Sequence, residues 1–214
     1  MDASELSTSI DDFGDIAQPP ETPPNNEKCK VREFRRKPPR DWLHELEVEA
    51  MIKAAGRNRH AVRDQALILL CYRHGLRVGE LIALEWAHID FRTSLLTVRR
   101  SKRGLDSTHP ITGKELRIMR ALQRKATGSY VFESERSGPM SRRAAQWIVE
   151  QAGRDADLAF PVHIHLLRHS CGYKLANDGQ PTRHIQLYLG HKSLNHTARY
   201  TALAPDPFRG FWSD

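Results

Sequence analysis

Cysteine is scarce in this 214-residue chain, with three in all: Cys29, Cys71 and Cys171. They form no CxxC pair, and an odd, scattered set argues against a disulfide framework and fits a reducing compartment. Long apolar runs are missing as well. No stretch approaches the roughly 18 residues that span a bilayer, and the acidic, polar N-terminus lacks the apolar core of a signal peptide. The cytoplasm is therefore the expected location, with no membrane partner. There is no GxxxxGK[ST] loop for ATP and no obvious Asp/Glu cage for Mg²⁺, so the expected chemistry needs no cofactor. Basic residues are absent from the first 27 positions, which carry seven acidic ones (Asp2, Glu5, Asp11, Asp12, Asp15, Glu21 and Glu27).

That last absence sharpens what is present. The chain carries a formal charge of +7, so residues 28–214 carry +14. A body this basic points to a polyanionic partner, of which nucleic acid is the commonest. Hydrophobic residues at 39% and charged residues at 28% describe an ordinary globular domain.

Residues 1–40 lack periodicity and hold six prolines. They read as a disordered acidic tail followed by a basic arm, with Arg35, Arg36 and Lys37 as candidate DNA contacts. Order is expected from about residue 41 to 203. LHELEVEAMIKAA (43–55) has helical spacing, with Leu46, Met51 and Ile52 available for one face. AVRDQALILLCYRH (61–74) reads as a buried helix capped by Gly75, and RVGELIALEW (77–86) as the next helix. SLLTVRRS (94–101) and STHPI (107–111) read as strands of a hairpin, and YVFES (130–134) as a further short strand. Helices are expected over 114–126, 141–156, 165–178 and 182–190, with a short last one around 196–203. The expected fold class is mainly α with a small β-hairpin, a single α+β domain, ending in an aromatic tail at 204–214.

One set of polar residues exceeds what a core needs. Arg77 and Glu80 share a face at a helix start, and His165 and Arg168 share a face of a later helix. His191 follows Gly190 at a helix end, Tyr200 comes nine residues later, and Lys102 sits in the hairpin turn. Two arginines can clamp one phosphate through paired donors. A histidine can take a proton and a lysine can give one. A tyrosine hydroxyl can serve as a covalent nucleophile. Singly, each residue has a plainer reading: a helix-surface salt bridge, a core histidine, a helix end, a half-buried aromatic, one charge among several in a turn. HIHLLRHSC also admits a zinc reading through His165 and His169, against which Arg168 on the same turn would repel a dication.

The order GLRVGEL, lysine hairpin, HLLRH, LGH and tyrosine resembles the tyrosine recombinase (phage integrase) family over about residues 41–203. Within it, KRGLDSTHPIT, HLLRHSCGYKLAN and FRGFW are similar to strings of the small fimbrial phase-variation invertases. The resemblance implies a catalytic domain that cuts and rejoins double-stranded DNA through a 3′-phosphotyrosyl bond, by inversion or by integration and excision. It implies that Arg77 and Arg168 clamp the phosphate, Glu80 supports the site and His165 handles the tyrosine proton. It further implies that His191 bonds the phosphate, Lys102 is the general acid and Tyr200 the nucleophile. Lys102 rests on Pro110, eight residues on, matching the family's hairpin-ending proline. Arg99, Arg100 and Arg103 are expected to meet DNA phosphates. A homotetramer on the DNA synapse is implied; Phe208, Phe211 and Trp212 then either pack on their own domain or dock on a neighbour. Family members usually carry a separate helical clamp domain, and the 40 residues before the catalytic domain are too few for one. That implies help from the arm, from other protomers or from accessory DNA-bending proteins. Two other functions compete: a type IB topoisomerase-like enzyme and an inert DNA-binding regulator.

Overall fold

A computed structural model describes residues 40–100, 106–134 and 138–202. The arm residues Arg35, Arg36 and Lys37, the turn residues Lys102 and Arg103, and the aromatic tail lie outside them.

The chain folds around one central helix. In α2 (Ala61–His74), every residue from Ala66 to Cys71 is at most 2% exposed. A helix apolar on all sides must be surrounded, and α2 packs against α1 (Glu45–Ala55), α4 (Gly113–Gln123), α5 (Arg142–Asp155) and α6 (Ile164–Asn177). Val48, Met51, Ile52 and Ala55 carry α1 into this core. Leu46, expected among them, is 77% exposed. At about 100° per residue it lies roughly 170° round the helix from the midpoint of Met51 and Ile52.

Gly75 ends α2 in the left-handed region, φ 56°. A side chain there would also strike Leu189, whose Cδ2 would sit 2.3 Å from a Cβ. Arg77 then N-caps α3 (Val78–Ile82), donating its amide to Glu80 Oε2 at 3.0 Å. The helix stops well short of the expected residue 86. Trp86 N bonds Ser129 O and Val131 N bonds Leu84 O, which pulls this backbone into an extended pairing. That pairing also accounts for YVFES, which makes only the isolated bridges Glu85↔Tyr130 and Glu133↔Pro139 and no full strand.

A three-stranded antiparallel sheet follows, in the order β1 (Ile89–Asp90), β2 (Leu95–Val98) and β3 (Ser107–Pro110). Leu96 faces His109 across β2 and β3, and Val98 faces Ser107. After α6 come α7 (Thr182–Leu189) and α8 (Asn195–Thr201). The architecture is mostly helical with one small sheet, as the sequence pattern indicates. Among the described residues no helix is long and apolar enough to cross a membrane.

Candidate active site

Helix α6 supplies three residues of the site from one stripe. His163 Nδ1 accepts the Leu166 amide at 3.2 Å and starts the helix. His165, Arg168, His169 and Gly172 then recur at the spacing of a single helical face. The opposite sides, at Leu166, Leu167, Ser170 and Cys171, are buried in the core.

Arg168 is 1% exposed, and its two terminal nitrogens donate to Gly75 O and, at 2.7 Å, to Leu189 O. Burial pulls its pKa down to about 10, with Arg77 and Arg100 pushing the same way, so it stays charged at neutral pH.

The arginines are held by the end of α7. Tyr188 O accepts from Arg100, Leu189 O from Arg168 and Gly190 O from Arg77 at 3.3 Å. These are three successive carbonyls at a helix C-terminus, where orphan acceptors and the negative end of the dipole favour cations. Gly190 makes the arrangement possible in two ways. Its φ is 64°, and a Cβ would lie 2.7 Å from Arg100 Nε. Gly190→Ala is expected to lower stability by about 1–2 kcal/mol through left-handed strain alone. It should also displace Arg100 and slow any chemistry that uses the arginines. Thermal melts and single-turnover rates check this, and a variant with wild-type values in both contradicts it.

Glu80 balances part of this charge. It accepts from Arg77 Nη1 at 2.8 Å and from Arg100 Nη1 at 2.9 Å. Burial works to raise its carboxyl, but the Arg77 amide, the Arg100 charge and the Arg77 side chain hold it below the usual value. Three arginines against one carboxylate leave the cluster cationic, which suits a phosphate.

Arg100 itself corrects an expectation. It does not face outward to meet DNA: its side chain is 0% exposed and ties Glu80 to α7. The reason is strand alternation. Leu96, Val98 and Arg100 point inward, while Leu95 and Arg99 are exposed.

The cleft beside these arginines measures about 450 Å³ and is lined by Arg77, His165, Arg168, His169, His191 and Tyr200, with Lys192, His196 and Arg199. His191 Nδ1 is hydrogen-bonded to Thr197 Oγ1 at 2.9 Å. Burial, then Arg168 and Arg77, bring its pKa to about 3, so its ring is neutral. His165 is exposed in the cleft and is shifted down by desolvation and Arg168.

Tyr200 is 1% exposed. Its ring lies against the bare backbone of Gly172, where a Cβ would be 2.6 Å from Cε2. Its hydroxyl is 2.9 Å from His169 Nδ1. Burial raises the phenol to about 12, against the pull of Arg168 and Arg199. Burial and His165 lower the His169 imidazole to about 4. With those values both groups are neutral at rest, a phenol beside an uncharged imidazole. The family resemblance pairs the tyrosine proton with His165, and in the sequence His169 enters only through the zinc reading. The i, i+4 spacing from His165 is the signal that could have found it. No group of three or more His, Cys, Asp or Glu positioned to hold a metal occurs among the described residues.

Arg77 at the start of α3, His165 and Arg168 on α6, His191 just past α7 and Tyr200 on α8 thus converge on one cleft, with Glu80 buried behind it against Arg77 and Arg100. Residues 41–206 match the model described as "Phage integrase family". The chain belongs to the phage integrase family. Among curated relatives it is 38% identical over 179 residues to the type 1 fimbriae regulatory protein FimB of Escherichia coli strain K12, covering 81% of this chain and 90% of that protein. It is 39% identical over 180 residues to FimE of the same strain, covering 81% and 91%. Among solved structures it resembles the XerA recombinase with a TM-score of 0.69 and 26% identity, covering 77% of this chain and 61% of that one. The integrase catalytic domain is therefore the frame in which the cleft acts.

Proposed function

We propose that this chain is a site-specific DNA recombinase that inverts, integrates or excises a DNA segment through a 3′-phosphotyrosyl intermediate. The observation that carries the reading is the cleft itself: a buried tyrosine beside a cationic arginine cluster and neutral histidines. Its double-stranded DNA substrate is suited to the +14 charge on residues 28–214.

In this reading Arg77 and Arg168 neutralise the non-bridging oxygens of the scissile phosphate. Tyr200 attacks phosphorus, a P–O(Tyr) bond forms and the P–O5′ bond breaks. The phenol proton passes to histidine, with His165 the acceptor, one turn of α6 from the His169 that holds the hydroxyl at rest. Lys102 gives its proton to the departing 5′-oxygen. The phosphodiester energy is kept in the tyrosyl ester, so a 5′-hydroxyl from another strand can reverse the step without ATP. Two duplexes and four strand cuts require a synaptic tetramer, assisted by DNA-bending proteins where the grip of one domain is insufficient.

A plasmid carrying two target sites provides the test. Inverted sites are expected to give inversion and directly repeated sites excision. Relaxation of supercoils without exchange would favour the topoisomerase-like alternative, and no strand cleavage at all would leave a DNA-binding regulator.

A further inference from the structure

A second cluster of ionisable groups is buried away from the cleft, and the chemistry described so far does not use it. His74 at the end of α2, His109 on β3 and Glu115 in α4 are each 1% exposed. His74 Nδ1 faces His109 Nδ1 at 3.2 Å, and His74 Nε2 lies 2.9 Å from Glu115 Oε1. The other His109 nitrogen bonds Ser107 Oγ at 2.9 Å. Glu115 also accepts from the Thr112 amide at 2.8 Å and from Arg73 at 3.1 Å. Two facing Nδ1 atoms accommodate one proton between them, so the histidines take complementary roles as donor and acceptor. Burial, His74 and Arg100 together bring His109 down to about 3, which keeps that ring neutral.

Burying this many polar groups costs free energy that an apolar trio would not. What the cluster obtains is a ring of fixed orientation. Both nitrogens of His109 are engaged, and its face stacks on Tyr188 with centroids 3.9 Å apart and planes 22° apart. Tyr188 is anchored again where its hydroxyl donates to Arg73 O at 3.0 Å. The backbone oxygen of this same Tyr188 accepts from Arg100, and the next two carbonyls accept from Arg168 and Arg77.

We propose that His109 is a positioning residue for the arginine clamp. Pinned by His74 and Ser107, its ring fixes Tyr188 and with it the last turn of α7, so that the three carbonyls meet Arg100, Arg168 and Arg77 in one setting. The inference rests on the recombinase reading, in which those arginines hold the scissile phosphate. His109 touches no substrate and acts only through α7.

The test uses the full chain and two nicked DNA substrates. One has an ordinary scissile phosphodiester. In the other a methyl group replaces one non-bridging oxygen, removing the charge that the clamp neutralises. His109→Ala is expected to bind DNA like the wild type and to cleave the ordinary substrate about 10–100-fold more slowly, the loss seen when groups that orient metal ligands are removed. On the methylphosphonate its deficit should shrink to a few-fold, because a mis-set clamp matters less without the charge. Tyr188→Leu removes the other half of the stack and should show the same selectivity, which keeps the test available if His109→Ala fails to fold. Equal losses on both substrates, or wild-type rates in either variant, overturn the proposal. Failure of the wild type to cleave either substrate would instead remove the recombinase reading beneath it.

Discussion

Tyr200→Phe is expected to bind DNA with unchanged affinity and to form no covalent complex on a nicked suicide substrate. The substitution removes one atom. The phenyl ring still fills the space over Gly172, and the hydroxyl's 2.9 Å bond to His169 Nδ1 disappears. Stability should therefore change by no more than about 1 kcal/mol, the usual value of one hydrogen bond. Cleavage should fall below detection, since no other hydroxyl, thiol or amine in the site is proposed to attack. A thermal melt, a binding titration and a denaturing gel separate these effects. Covalent trapping that persists in the variant would refute the nucleophile assignment.

Lys102→Ala is expected to slow cleavage of ordinary DNA by about 10²–10⁴-fold, the loss associated with a missing general acid. An alkoxide is a poor leaving group, and an ammonium can protonate the 5′-oxygen as its bond breaks. Arg103 is a reluctant acid, with a pKa above about 12. The decisive substrate replaces the bridging 5′-oxygen with sulfur, because a thiolate leaves without a proton. Sulfur should restore cleavage to Lys102→Ala but not to Arg77→Ala or Arg168→Ala, whose hold on the phosphate is still required. If sulfur fails Lys102→Ala, or rescues Arg103→Ala instead, the general acid is another residue. Lys102 lies outside the described residues, so this kinetic signature stands in for a distance.

The legible and illegible parts of the site divide along a physical line. Arg77, Glu80, His165, Arg168, His191 and Tyr200 are readable because local helix geometry and motif order constrain them. Glu80 sits at the third helical position and caps Arg77, and His165 and Arg168 fall on one face by spacing alone. Gly75 and Gly190 signal helix ends, and both are left-handed in the structure. Long-range partners are less legible. Arg100 reads as one of several surface charges in RRSKR, and only its inward position in the β2 alternation reveals a buried bridge from Glu80 to α7. His169 takes its meaning from Tyr200, 31 residues away, and a helix wheel does not show which element will pack against that face. The extended pairing at Glu85 and Tyr130 shortens one expected helix and reduces an expected strand to a bridge, an override of local pattern by tertiary hydrogen bonds. His74 and His109 carry no local signal at all, since neither belongs to a spacing that suggests the other.

Everything proposed for the cleft depends on Tyr200 becoming esterified to a 3′-phosphate of DNA. The most direct measurement incubates the wild-type protein, in EDTA, with a nicked duplex carrying its target site, and then digests the linked product for mass spectrometry. One DNA-bearing peptide is expected, spanning Tyr200, with the tyrosyl oxygen on a 3′-phosphate and a free 5′-hydroxyl on the released strand. Linkage at another residue, linkage to a 5′-phosphate, or cleavage that stops in EDTA would contradict it.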